Sequence, residues 1–286
     1  MKILRIFLCV PILSMVILSA STQLTSCMKT VTVHDTTIRA VHDTTIRNIH
    51  DTTKIHDTVY NFNDDLVAYY NFNGGNLNDS SGNGNNIVFN NATLTSDRFG
   101  NPNNAFLFDG VNSYMRVPNS TTLNPDRITL MAIVKFNDFY HGTCSISQLI
   151  MKGSQDQDQG TYGMRVAPDG ICTSTLDTSM EKILALYGDY SNRAYVMDPN
   201  YFVKAGRWVT IWYTFDGHTS NVYIDGNLSF TSPSSATFNA NSYDLYIGKT
   251  QNPSFPYLFN GVIDEIRIYN EALTAGEIKQ FQNSLH

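Results

Sequence analysis

The chain has 286 residues, 42% of them hydrophobic and 15% charged, and a formal net charge of −6. That is ample length for a packed core and too little charge for intrinsic disorder. No Lys/Arg stripe is present, which argues against nucleic acid as a partner, and 16 Tyr and 16 Phe amid abundant Asn, Thr, Ser and Gly favour strands and turns over helices.

Residues 1–26 read as a secretory signal peptide. Lys2 and Arg5 form its charged start, and the apolar core from Ile6 to Leu18 is short for a bilayer span. Leu24-Thr25-Ser26-Cys27 resembles the bacterial lipobox. Cys27 is therefore expected to carry lipid, giving an exported protein anchored to a bacterial membrane, at the outer membrane or cell surface. An ordinary cleavage site with a chance Cys is the alternative.

Residues 27–60 carry a repeat, VHDTTIRA, VHDTTIRN, IHDTTK, IHDTVY, with His34, His42, His50 and His56 at spacings of 8, 8 and 6. Even spacings keep these His on one side of an extended chain, whereas a helix rotates by about 80° per eight residues. The segment is electrically neutral, cannot bury a core alone, and reads as an extended stalk. Two sharper readings stand beside the spacer. The His could share a divalent metal between stalks. The Asp-Thr copies also resemble a bacterial periplasmic O-glycosylation acceptor, which makes Thr36, Thr44, Thr52 and Thr58 candidates.

From residue 61 to 286 the texture changes to short apolar runs separated by Gly, Asn and Asp, with 13 basic and 21 acidic residues. Strands are expected at Leu66–Phe72, Ile87–Phe89, Ala105–Phe108, Tyr114–Val117, Ile128–Phe136 and Gln148–Lys152. Further runs follow at Gly163–Val166, Ile183–Tyr187, Trp208–Phe215, Asn221–Ile224, Tyr243–Ile247 and Val262–Tyr269. Asp225-Gly226 between NVYI and NLSF is a two-residue hairpin turn. Thr274 to Glu277 forms a capping box that opens a short C-terminal helix. The late strand Gly261 to Asn270 needs an early partner, and LVAYYNF at residues 66–72 is the best one. Pairing the two closes an all-β, two-sheet antiparallel jelly-roll sandwich.

Four stretches together resemble the laminin-G-like jelly roll of the concanavalin A-like lectin/glucanase superfamily. They are LVAYYNFNGGNLNDSSGNGNN, FGNPNNAFLFDGVNSYMRVP, GRWVTIWYTFDGHTSNVYIDGNL and GVIDEIRIYNEALTAGEI. The resemblance implies extracytoplasmic use, frequent Ca²⁺, and frequent glycan or protein binding. It implies no reaction.

The residues argue against an enzyme. A glycosidase on this fold needs two carboxylates facing the same way, and Asp264 and Glu265 are neighbours, which regular alternation sends to opposite faces. Neither His141 nor His218 sits in a nucleophile motif.

The oxygen-rich loop Asn78 to Asn85 offers Asp79 and Asn85 as ligands for a structural Ca²⁺, with Asp264 brought alongside by the closing strand. An Asx-turn loop with no ion is the alternative. Cys144 and Cys172, the two thiols left after Cys27 and the signal, are expected to pair. Val209, Ile211, Tyr213 and Phe215 alternate as a core face, so Trp208 and Trp212 point away from it and could form a sugar-stacking platform. Tyr140, Tyr162 and Tyr187 are further aromatic candidates. The expected function is a non-catalytic glycan-binding module on a membrane-anchored envelope protein. The alternative is a structural or adhesive envelope protein with a protein partner.

Overall fold

A computed structural model describes residues 27–33, 36–42, 61–154, 160–168 and 181–285. The chain divides into two units, Met1–Asn61 and Phe62–His286. In the first, β1 (Cys27–Val33) and β2 (Thr36–His42) pair antiparallel, with Cys27 opposite His42.

The second unit begins with β3 (Leu66–Tyr70), β4 (Phe89–Asn90), β5 (Thr93–Thr95), β6 (Ala105–Asp109), β7 (Met115–Val117), β8 (Ile128–Asp138) and β9 (Ser147–Lys152). It continues with β10 (Thr161–Pro168), β11 (Glu181–Asp189), β12 (Asn192–Val203), β13 (Trp208–Phe215), β14 (Thr219–Ile224) and β15 (Asn227–Pro233). It ends with β16 (Leu245–Ile247), β17 (Asn260–Tyr269) and α1 (Ala275–Ser284).

Two antiparallel sheets form a jelly-roll sandwich. One has the order β12-β11-β10-β9-β16-β7-β4, the other β15-β14-β13-β8-β17-β6-β5, with β3 also paired to β17. The expected closure is present: Ile266 lies opposite Tyr70 and Ile268 opposite Ala68. Alternation builds the core between the sheets. Leu130, Ala132, Val134 and Phe136 of β8 meet Ile183, Ala185 and Tyr187 of β11 in one buried cluster. The Asp225-Gly226 hairpin turn has both central residues at positive φ (48° and 75°), the conformation Asp-Gly favours in a two-residue loop. Thr274 caps α1 reciprocally with Glu277.

Two features depart from the sequence reading. β12 has no clear signal in the sequence, because Asp198-Pro199 reads as a turn. The strand absorbs it in a bulge: Lys182 pairs with Phe202 but Leu184 with Met197, so the Pro never has to donate to the ladder. The outer face of β13 is also not open, because α1 lies over it, with Ile278 and Phe281 buried.

Candidate binding cleft

Trp212 does point away from the main core, but it is 0% exposed, and its ring meets Phe281 of α1 edge-on at 5.0 Å. It is no sugar platform; it is the socket for the helix. Tyr162 and Tyr187 face inward instead and belong to the core between the sheets. Tyr187 donates its hydroxyl to the Pro125 carbonyl (2.6 Å), and burial pushes both phenols far above their usual range. Tyr140 is half-buried against a separate apolar cluster of Ile146, Leu184, Leu186 and Tyr257. The expectation of a stacking platform is therefore corrected at Trp212, Tyr162 and Tyr187, whose rings are buried, while half-buried Tyr140 lies on a different cluster from Trp208.

Trp208 is placed differently. It is half-buried at the start of β13 and lines an open cleft of about 440 Å³ on the outer side of the eight-stranded sheet. Arg98 and Phe99 form one wall, and Lys279, Gln282 and Asn283 of α1 form another. Phe99 is 62% exposed. Asp225 closes one end; its Oδ1 accepts the Thr210 N–H (2.9 Å), and its Oδ2 meets Arg207 (3.3 Å).

The loop carrying Phe99 is pinned from below. Asp97 Oδ1 accepts the N–H groups of Phe99 and Asn101, both at 2.8 Å, a local Asx arrangement. Arg98 donates to Asp264 Oδ2 at 2.6 Å, and its guanidinium lies 4.5 Å from the centre of the Phe99 ring. Burial pushes the Asp264 carboxyl up, against the opposing pull of Arg98. Two atoms of its lining residues, Arg98 Nε and Gln282 Oε1, are shielded from solvent and have no hydrogen-bond partner among the described residues.

Asp264 and Glu265 correct the expectation that neighbours face opposite ways. The register shifts between Ile263 and Glu265, so both carboxylates reach Arg98 Nη1, at 2.6 and 4.0 Å. Glu265 is also bound by Arg267 Nε (2.6 Å), whose guanidinium lies over the rings of Tyr69 and Phe281. Each acid thus faces a cation.

The expected Ca²⁺ ligands do not fit the ion. Asp79 already accepts four hydrogen bonds, from the N–H groups of Tyr69, Ser81 and Asn85 and from Ser81 Oγ, at 2.8–3.0 Å. A carboxylate has about four lone-pair sites. Asn85 Oδ1 accepts from Ser120 Oγ at 2.6 Å, and Asp264 is held by Arg98. Among the described residues no cluster of three His, Cys, Asp or Glu could hold a metal. Asp79 is thus the organiser of its loop. Asp79→Asn should cost about 1–3 kcal/mol, the scale of buried N–H groups losing an ionised acceptor, while a chelator should leave the wild-type melting temperature unmoved. A chelator-induced drop would restore the metal reading.

Cys144 carries no free thiol. Cys172 lies outside the described residues, as do Thr44, Thr52 and Thr58. Thr36 opens β2. No helix among the described residues is long and apolar enough to cross a membrane.

Residues 109–279 match the laminin-G family described as the concanavalin A-like lectin/glucanases superfamily. The chain belongs to that superfamily. Domain 4 of AbnA, a GH43 extracellular arabinanase from Geobacillus stearothermophilus solved with arabinotriose, has a similar fold. It is 21% identical, with a TM-score of 0.52, over 76% of this chain and 98% of that one. The binding domain of Paraclostridial Mosquitocidal Protein 1 is 15% identical with a TM-score of 0.58, over 78% and 53%. The binding domain of botulinum neurotoxin DC, solved with rat synaptotagmin II, is 13% identical with a TM-score of 0.57, over 78% and 52%. The chain spans about half of each toxin chain. At these identities the likeness establishes the fold of this superfamily member and nothing finer. No curated protein matches it.

Sequence reasoning missed Arg98, Phe99, Gln282 and Asn283. A signal for the first pair existed: an aromatic residue between Asp97 and Gly100 in a turn has no core to face.

Proposed function

We propose that the domain is a non-catalytic glycan-binding module and that the Trp208 cleft is its site. One observation carries the reading: exposed Phe99 and half-buried Trp208 flank a cleft that is also lined by the exposed polar side chains of Lys279 and Asn283. A sugar ring presents apolar CH faces and hydroxyls that both donate and accept, so it complements that combination. The guanidinium partners of Asp264 and Glu265 support a non-catalytic reading of that carboxylate pair. Membership of a lectin-containing superfamily is in keeping with this reading, and Ca²⁺ plays no part in it.

The domain is held at a bacterial envelope, at the outer membrane or cell surface, by lipid on Cys27. The repeat of residues 27–60 acts as a spacer that accepts O-glycans at Thr36, Thr44, Thr52 and Thr58. A Cys144–Cys172 disulfide would stabilise by roughly 3–4 kcal/mol through loop closure. A protein partner is the second reading, favoured by the exposed apolar side chains of Val88, Leu94 and Val111 outside the cleft.

A glycan array probed with the full chain and with Trp208→Ala tests the first reading. Binding by the wild type that falls about two- to tenfold in the variant is expected, because stacking on one aromatic ring is worth about 0.5–1.5 kcal/mol. A folded wild type that binds no glycan would overturn it.

A further inference from the structure

We infer that the Trp208 cleft selects acidic glycans, sugars whose ring carries a carboxylate. The inference rests on the reading of the cleft as a glycan site and adds a charge preference to it. Arg98 and Lys279 line the cleft, and two further cations touch its lining residues, Lys135 at Trp208 and Arg207 at Asp225. Two are neutralised locally, Arg98 by Asp264 at 2.6 Å and Arg207 by Asp225 at 3.3 Å. The other two have no carboxylate partner among the described residues. Lys135 Nζ lies 5.4 Å from the centre of the Trp208 ring. Lys279 Nζ, on the α1 wall, donates to the amide oxygen of Asn227 at 2.9 Å.

Two uncompensated ammonium groups beside one aromatic cleft stand out in a domain with 13 basic and 21 acidic residues. Residues 61–286 thus carry a formal net charge of −8, and an anion meets a favourable local field only where cations cluster. A neutral sugar would use the rings and the amides but leave both ammonium groups unanswered. A ring carboxylate stacked over Trp208 or Phe99 would reach them and form charge-assisted hydrogen bonds, roughly twice as strong as neutral ones. Asp225 does not cancel this field, because Arg207 and the Thr210 N–H already meet its charge. Lys is also well suited to such a ligand. Its ammonium is a mobile point charge on a flexible stem and tolerates more than one position of the acid around a sugar ring.

The test is titration calorimetry of the full chain against uronic-acid oligosaccharides of several linkages, each paired with its carboxyl-reduced neutral counterpart. The acidic member of at least one pair should bind about tenfold or more tightly at low salt, and the gap should narrow as ionic strength rises and the Debye length shortens from about 10 to 3 Å. Lys135→Gln and Lys279→Gln should each narrow the gap, and both side chains lie outside the core, so the variants should remain folded. Trp208→Ala should weaken both members of the pair. Equal binding of acidic and neutral members, still weakened by Trp208→Ala, would overturn the charge preference and leave the glycan site standing. Acidic binding unmoved by all three variants would place the anion site elsewhere and overturn the inference. Binding of no oligosaccharide by the folded chain would overturn both.

Discussion

Glu181→Gln is expected to stabilise the domain above pH 8 and to change little near pH 4. Glu181 is fully buried, and neither carboxylate oxygen has a hydrogen-bond partner among the described residues. Burial alone raises its pKa from 4.5 to about 8. Between those values the folded state holds a proton that the unfolded state has lost, so stability falls as pH rises, by at most about 1.4 kcal/mol per pH unit. Above pH 8 both states are ionised and the full penalty, on the order of 5 kcal/mol, remains.

Lys152 works in the opposite sense over the next window. It too is fully buried, with Nζ donating to Asn241 Oδ1 at 2.7 Å and Asn124 Oδ1 at 3.2 Å. Burial, partly offset by Asp244, lowers its pKa from 10.5 to about 8. Between 8 and 10.5 the unfolded state binds the extra proton, and stability rises with pH. The two groups together predict a stability minimum near pH 8. Urea unfolding of wild type and Glu181→Gln at pH 5, 8 and 10 checks it. The two proteins should differ most at pH 8 and above, and parallel profiles would show that Glu181 does not carry the effect.

Trp212→Ala should destabilise the domain by about 3–5 kcal/mol, the usual cost of emptying a large aromatic site. The damage should spread beyond the cavity. Trp212 seats Phe281, and Phe281 packs in turn on Phe62 at 5.0 Å and under Arg267 at 4.7 Å. Losing the socket should loosen α1 and with it the Lys279, Gln282 and Asn283 wall of the cleft. Trp212→Phe should cost much less, because the indole Nε1 has no partner to lose. Denaturant midpoints separate the pair, and equal destabilisation by Ala and Phe would show that packing against Phe281 is not what matters. Any weakened ligand binding in Trp212→Ala therefore reports a displaced helix rather than a lost platform.

How far the sequence can be read depends on whether the deciding contact is local. The alternation of Val209, Ile211, Tyr213 and Phe215, the Asp225-Gly226 turn and the Thr274 cap are short-range patterns, and the structure holds each as expected. The first-to-last strand pairing is legible because one early run matches the late one best. What covers an outward face is not local. Nothing in TIWYTF says that Phe281 will sit on Trp212, and nothing near Asp264 says that Arg98 will take its carboxylate. The bulge at Ile263 to Glu265 breaks the period-two rule just where that rule would separate two acids. At Tyr162 and Tyr187 the residue type suggests a rim position, while the strand register places them inside.

β17 has a bearing on when this domain can form at all. It is the last strand of the chain, yet it lies inside its sheet, paired to β8 on one side and to β6 and β3 on the other. Until residues 260–269 are available, β8 is paired only to β13, β3 has no place to attach, and the core face carried by Ile263, Ile266 and Ile268 is missing. A chain appearing from its N-terminus therefore stays open along the middle of the eight-stranded sheet until residues 260–269 have been made. Such long-range pairing makes closure slow and late, so the structure sets its own order of events: length first, then cohesion.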